Sequence, residues 1–242
     1  MSSSAPRVAL LLPARDEEQA LPLVLADVPA GEVDLVVVCD NGSTDGTARV
    51  AREAGATVVE EPRAGYGRAC LRALEHLRSE VDPPWGAQDV VCFLDADYSD
   101  YPEELPRVVG PVKRGEADFV IGSRILGGAS RAALLPQAWF GNRLACFLMR
   151  VLFGVRATDL GPFRAIRFAA LEELAMSDET FGWTIEMQLK AHARGLVVRE
   201  VPVRYRARVG RSKITGTWSG TLRAGAKILG WIFAFRVRLW LR

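Results

Sequence analysis

The chain has 242 residues, 49% of them apolar and 25% charged, which is the make-up of an ordinary globular protein long enough to bury one sizeable core. Four scattered cysteines form no CxxC pair, and no Gly/Ser, Pro or Gln tract or internal repeat is present, which argues against a disulfide framework, a zinc site and a linker-joined array. The net charge of +2 hides an asymmetry: residues 199–242 carry +10 and the remainder −8, a basic tail on an acidic body, which suits an anionic partner such as lipid headgroups, phosphates or nucleic acid.

In chain order, "VALLL" (8–12) is a continuous apolar run stopped by Pro13 and predicts a strand buried on both faces. A helix is expected over 17–28, interrupted near Pro22, then a second strand at "DLVVVC" (34–39), a helix over 44–54 and a third strand at "ATVVE" (56–60). Residues 69–77 are helical in pattern. Val90–Leu94 predicts a fourth strand, Pro102 the first turn of a following helix, and "ADFVIG" (117–122) a fifth strand. Beyond residue 125 the pattern is less regular: an apolar helix at "FGNRLACFLMRVLFG", a loop entering a strand at "DLGPFRAIR", a helix at "TIEMQLKAHARG", and a strand at "LVVREVPVRY" running into the basic region. The alternation argues for an α/β fold: a mostly parallel sheet with helices on both faces.

Such sheets bind ligands beyond the carboxyl ends of their strands. Those ends read "PARDEE", "DNGSTDGT", "DADYSD" and "GSR", three of them rich in acids. Asp95 and Asp97 stand two apart on an extended chain, so they can face one side. Two adjacent carboxylates repel without a cation, and Mg2+ or Mn2+ takes one or two carboxylates and completes its shell with water and phosphate. The alternative is that Asp97, Ser99 and Asp100 only initiate the next helix. Asp40 or Asn41 could meet a ribose or base edge. "RAGYGRA" (63–69) lacks the third glycine of a dinucleotide fingerprint, and either brings backbone near a phosphate or base or is a plain loop. Arg204, Arg206 and Arg208 alternate on one expected strand face, with Arg211 and Lys213 after a glycine, a set suited to clamping phosphate. His76 and His192 are expected on helix surfaces.

"LLPARDEE", "VDLVVVCDNGSTDGTARVA", "DVVCFLDADYSDYPEEL", "ADFVIGSR", "TDLGPFRAIR", "FGWTIEMQLKA" and "GRSKITGT" follow one another over residues 7–217. In order and spacing they resemble family 2 glycosyltransferases of the GT-A fold, most of all the dolichyl- or polyprenyl-phosphate mannose and glucose synthases. The resemblance implies inverting transfer of a hexose from a nucleotide diphosphate sugar (UDP- or GDP-hexose), with Mg2+ or Mn2+, to polyprenyl phosphate or another acceptor. By position, Pro13, Arg15 and Glu17 would line the nucleotide site, Asp40 and Asn41 would approach the nucleoside, and Asp95 and Asp97 would bind metal and diphosphate. Asp159 and Glu186 would border sugar and acceptor, and Arg124, Arg206 and Lys213 would contact phosphates. A hydroxyl acceptor needs a base, for which Asp159 is the candidate; a phosphate acceptor is already an anion. The sequence departs from the pattern at Asn41, where many relatives have an acid. It departs again at Ser99, which stands where the lipid-phosphate branch often has Gln as a further metal ligand, and it lacks the membrane-spanning helices of many relatives.

The glycosyltransferase unit is expected over 1–215 and a basic amphipathic segment over 216–242. Wound as a helix, residues 221–242 put Arg223, Lys227, Arg238 and Arg242 on one side, with Ile228, Ile232, Phe235 and Leu239 as an adjoining stripe and Trp231 and Trp240 nearby. Only eight residues separate Lys227 from Arg236, too few to span a bilayer. Such a segment can lie in the membrane interface, drawn by anionic lipid, or pack on the domain with its arginines in water. "MSSSAPR" lacks the apolar stretch of a secretory signal. The expectation is a cytoplasmic protein, peripheral on the inner face of the membrane, that does not bind nucleic acid.

Overall fold

The computed structural model describes residues 5–129, 136–210 and 218–240, with side chains for all of these except 218–222 and 239. Its centre is β1 (Val8–Ala14), whose residues Val8 to Leu12 are all fully buried. Neighbouring side chains on a strand leave by opposite faces. Ala9 and Leu11 therefore join one core, beneath α3 (Tyr66–Ser79), α6 (Phe168–Leu174) and α7 (Trp183–Ala193). Val8, Leu10 and Leu12 join a second, beneath α1 (Leu21–Ala26), α2 (Thr47–Glu53) and α4 (Leu105–Lys113). A continuous apolar run is what a strand covered on both faces requires.

β1 pairs in parallel with β2 (Leu35–Asp40) and β4 (Val90–Phe93), and β2 with β3 (Thr57–Glu60). The seven strands run β3-β2-β1-β4-β6-β5-β7. β6 (Arg164–Arg167) is antiparallel to both β4 and β5 (Phe119–Ser123), while β7 (Val198–Pro202) is parallel to β5. The reversal of β6 sets Arg164 opposite Phe93 and Ile121. The "DLGPF" segment entering β6 thus arrives at the carboxyl ends of its neighbours, beside the acidic tip of β4.

Several boundaries differ from expectation. α1 begins at Leu21, because Glu17 O accepts from Ala20 N and Leu21 N in a preceding turn, and Pro22 sits in its first turn rather than interrupting it. Residues 102–104 form a 3-10 turn before α4. α6, directly after β6, is not anticipated by the sequence reading. β7 stops at Pro202, so the arginines that follow do not share one strand face.

α5 (Pro136–Phe153), α7 and α8 (Trp218–Trp240) enclose a third core. Ile228, Trp231, Ile232 and Phe235 of α8 pack there against α5 and α7, so the expected apolar stripe lies on the domain. Phe233, Val237 and Trp240 face solvent. The Leu239 side chain and Arg242 lie outside the described residues. Among the described residues, no helix is long and apolar enough to cross a membrane.

Candidate active site

A cavity of about 360 Å3 opens at the carboxyl ends of β1, β2 and β4. Pro13, Arg15 and Glu17 line it from the end of β1, Asn41 from β2, and Asp95 and Asp97 from β4. The glycine loop contributes Ala64, Gly65 and Tyr66. Thr180 and Phe181, from the loop before α7, and Arg208, from the basic segment, complete the wall.

The loop before α7 reaches the cavity because α3 lets it approach. Gly67 N and Arg68 N donate to the carbonyls of Thr180 and Glu179 (3.1 and 3.0 Å), and a Cβ at Gly67 would collide with Asp178 O. These amides at the start of α3 are thus taken by protein carbonyls rather than offered to a phosphate. Asn41 fixes a second loop, residues 61–65, which leads into α3. Its amide nitrogen donates to Glu61 O and Arg63 O, and its carbonyl accepts from Gly65 N (2.8 Å). Asn41 therefore shapes the wall, where an acid could not make the two donations. Asp40 accepts from Ser43 N in the turn after β2 and does not line the cavity.

At the tip of β4, burial and the neighbouring Asp97 push the Asp95 carboxyl up to about 7. Asp95 Oδ1 is buried and makes no hydrogen bond. The Tyr66 hydroxyl, also buried without a well-formed bond, lies near enough to favour the Asp95 anion slightly. Asp97 Oδ1 accepts from Ser99 N and Ser99 Oγ (2.9 and 2.5 Å), leaving Oδ2 toward the cavity side where Arg208 lies. Tyr98 between them is held at φ 62°, a left-handed conformation uncommon for a non-glycine residue and found where structure over-determines the backbone. Asp100 is 1% exposed with neither oxygen hydrogen-bonded; burial and Asp95 hold its pKa well above the usual carboxylate range.

Two hard carboxylates, one with an orphaned oxygen, fit a Mg2+ or Mn2+ ion that borrows further ligands from a diphosphate. Among the described residues, no three His, Cys, Asp or Glu side chains converge on one metal position, so a resident all-protein site is not built here. Ser99, expected as a third ligand, instead spends its hydroxyl on Asp97 and is 1% exposed.

Other expected site residues are placed differently. Asp159 is 0% exposed and both its oxygens are taken by Arg124, so neither it nor Arg124 lines the cavity. Burial would lower the Arg124 pKa; the Asp159 carboxylate outweighs it and raises it. Glu186 is also fully buried, accepting from Ser177 N, Ser177 Oγ and Asp178 N and pairing with Lys190 at 2.7 Å. It braces the loop that carries Thr180 and Phe181 instead of bordering the cavity. Lys213 and Arg211 lie outside the described residues.

The three arginines of the basic segment separate. Arg204 pairs with Glu104 at 2.8 Å. Arg206 donates to Tyr98 O and Asp100 O and stacks on the Tyr98 and Tyr101 rings, so it bolts down the "DYSD" turn rather than facing the cavity. Arg208 alone enters the site, to Glu17 and Asp97. The sequence signal for it was only its place in an alternating run.

The family model described as glycosyl transferase family 2 matches residues 10–175. The chain belongs to glycosyltransferase family 2. An uncharacterised glycosyltransferase of Mycobacterium tuberculosis is 36% identical over 221 residues, covering 90% of this chain and 94% of the relative. A protein of Haloferax volcanii named dolichyl-phosphate hexose transferase is 34% identical over 239 residues, covering 96% of each. Among solved structures, glucosyl-3-phosphoglycerate synthase of M. tuberculosis, crystallised with Mn2+, UDP and glucosyl-3-phosphoglycerate, superposes with a TM-score of 0.72 at 24% identity, over 93% of this chain and 79% of that one. This glycosyltransferase thus has the GT-A fold, and its cavity lies at the sheet edge where that fold's strands end.

Proposed function

We propose that this glycosyltransferase moves a hexosyl group, with inversion, from a UDP- or GDP-hexose to a polyprenyl phosphate. Mg2+ or Mn2+ would be held between Asp95, Asp97 and the donor diphosphate. The observation that carries the reading is the orphaned Asp95 oxygen beside Asp97 at the floor of the cavity, two carboxylates whose repulsion Arg208 only partly offsets. A divalent ion there supplies charge stabilisation to the departing diphosphate.

The chain's own residues do the rest. Pro13, Arg15, Glu17 and the loop clasped by Asn41 form a wall for the nucleotide, and Thr180 and Phe181 close the opposite side. The acceptor must reach the anomeric carbon from behind the leaving group, which is what positioning by such a cavity provides. The acids that could serve as a base are otherwise engaged: Asp95 is assigned to the metal, Glu17 and Asp97 are paired with Arg208, and Asp159 is sealed against Arg124. An acceptor that arrives as an anion, such as a phosphate, needs no base, and this supports the lipid-phosphate reading, as does the name of the Haloferax relative. Lys213 and Arg211 are the cations we assign to the acceptor phosphate. Arg124 and Arg206 act through Asp159 and through the turn after Asp97.

The acceptor would be met at the inner face of the cytoplasmic membrane. Phe140, Phe147 and Val151 of α5 and Phe233, Val237 and Trp240 of α8 are exposed, interspersed with exposed Arg143, Arg150, Arg236 and Arg238. Apolar side chains among arginines suit an anionic bilayer surface. In this reading residues 1–215 are the catalytic unit and 216–242 the attachment segment.

The test is a donor screen: purified protein with Mg2+ or Mn2+ and UDP- or GDP-hexoses, with and without polyprenyl phosphate. Transfer to the lipid phosphate, abolished by EDTA and by Asp97→Ala, is the expected result. Transfer only to a soluble hydroxyl acceptor, or full turnover in excess chelator, would overturn it.

A further inference from the structure

Asp97 has one oxygen committed to Ser99 and one, Oδ2, toward the cavity, and a cation of the protein already stands on the second. Arg208 Nη1 lies 3.1 Å from Asp97 Oδ2, and Nη2 lies 2.5 Å from Glu17 Oε1. Its third donor, Nε, is buried and has no acceptor.

The backbone delivers it there. Residues 205–209 zip against 97–100: Arg206 N donates to Ser99 O, Val209 N to Asp97 O, and Tyr205 bridges Asp100. The anchor is thus the main chain, while the guanidinium, with a side chain 24% exposed, spans the mouth of the acidic pair.

We propose that Arg208 is a displaceable counter-cation: it covers Asp97 until a metal and a nucleotide diphosphate arrive together, then passes to the diphosphate. The inference rests on the reading that Asp95 and Asp97 hold a divalent ion. Bare metal approaching Asp97 must evict a guanidinium or share an oxygen with it, so it meets both a blocked ligand and a like charge. A metal that brings a diphosphate also brings an acceptor for the fork of Arg208, including the idle Nε–H, and arginine matches phosphate oxygens in that fork geometry. The site therefore discriminates against free metal, and by linkage metal and nucleotide each strengthen the other's binding by one shared factor.

The experiment titrates the full chain with Mn2+, read by electron paramagnetic resonance, without nucleotide and then with UDP or GDP. Wild type is expected to bind Mn2+ weakly alone and at least about ten-fold more tightly with the nucleotide. Arg208→Gln is expected to bind Mn2+ alone about ten-fold more tightly than wild type, with the nucleotide's enhancement shrinking to under about three-fold. A simple phosphate-binding arginine would leave metal-only affinity unchanged, and a structural one would weaken both; either result overturns the proposal, as does a wild type with no coupling. Should Arg208→Gln not fold, Glu17→Gln, which releases one arm of the guanidinium, must shift metal-only affinity in the same direction by a smaller factor, and no shift sinks the idea. Mn2+ binding that survives Asp97→Asn in wild-type background would instead refute the metal assignment, separating the two failures.

Discussion

Asp159 and Arg124 form a closed pair: Arg124 Nε and Nη2 donate to the two carboxylate oxygens at 2.8 and 2.7 Å, and Arg124 N adds a third bond at 2.8 Å. A fully buried carboxylate held this way has both oxygens occupied and is shielded from any acceptor hydroxyl. Its role is to join the end of β5 to the loop entering β6. Removing one partner of a buried pair leaves the other's charge uncompensated, at a cost of about 3–5 kcal/mol. Asp159→Asn should therefore lower the melting temperature by about 10 °C. Replacing both, as Arg124→Met with Asp159→Leu, should recover more than half of that loss. Calorimetry of the three variants checks this. Unchanged stability in Asp159→Asn, with turnover abolished, would return the residue to chemistry.

Asp95 sets a pH dependence of stability. Its folded pKa, raised by burial and by Asp97 to about 7, stands above the ordinary 3.8. Below about pH 4 both folded and unfolded states carry the proton, and Asp95 costs nothing. As pH rises from 4 toward 7 the unfolded chain ionises first, so stability falls; above 7 the full penalty remains. The metal-free protein should lose stability over that window, and Asp95→Asn should flatten the loss. The variant should melt about 5 °C or more above wild type at pH 7.5, and the two should converge near pH 4.5. Saturating Mn2+ with nucleotide should raise wild type and leave Asp95→Asn almost unmoved. A variant less stable than wild type at pH 7.5 would contradict the repulsion.

The strands and the cavity's acidic floor were legible because each rests on a local signal. Val8–Leu12 and Val90–Leu94 are apolar runs bounded by breakers, and ligands in such sheets gather at carboxyl ends. The direction of β6 was not legible, since "GPFRAIR" has the same pattern either way and only the intervening chain decides how it returns. Spacing also failed to separate Asp97, which lines the cavity, from Asp159 and Glu186, which are sealed: a buried, satisfied carboxylate and one that faces a cavity look alike until partners are known. For the arginines, alternation assumed a strand through residue 208. The chain leaves the sheet at Pro202, and Arg204, Arg206 and Arg208 then turn to Glu104, to the Tyr98 and Tyr101 rings, and to Asp97.

The exposed apolar residues of α5 and α8 define a membrane test. Trp240 is 82% exposed and Phe233 53%, and burying a large apolar side chain is worth about 1.5–3 kcal/mol. The protein should sediment with vesicles containing anionic lipid, less so as salt rises. Phe233→Ser with Trp240→Ser should cut partitioning at least about ten-fold without changing the melting temperature, since neither side chain is buried in the fold. Recovery of the wild type in the supernatant, whatever the lipid, would argue for a soluble acceptor.

α8 also reaches the cavity indirectly. Asp178, 3% exposed, accepts from Trp231 Nε1 at 2.5 Å and pairs with Lys227 at 2.9 Å, both from α8, while its other oxygen accepts from Thr180 N and Gly182 N. Burial alone would raise the Asp178 pKa; the bonds from Trp231 and Lys227 outweigh it and hold it low. One carboxylate thus ties the C-terminal helix to the loop whose Thr180 and Phe181 line the cavity. Cutting the tether with Trp231→Phe and Lys227→Met removes two charge-assisted bonds, each worth about 1.5–3 kcal/mol, and leaves Asp178 under-satisfied. Amide exchange in residues 176–182 should accelerate at least about ten-fold. The loop packs on α3 through Gly67 and Arg68, so the wall should loosen without collapsing. Donor KM should then rise by about three- to ten-fold while kcat changes little, the signature of lost uniform binding. Exchange confined to α8, with 176–182 as protected as in wild type, would show that Glu186 and the α3 contacts hold the loop without help from the C-terminal helix.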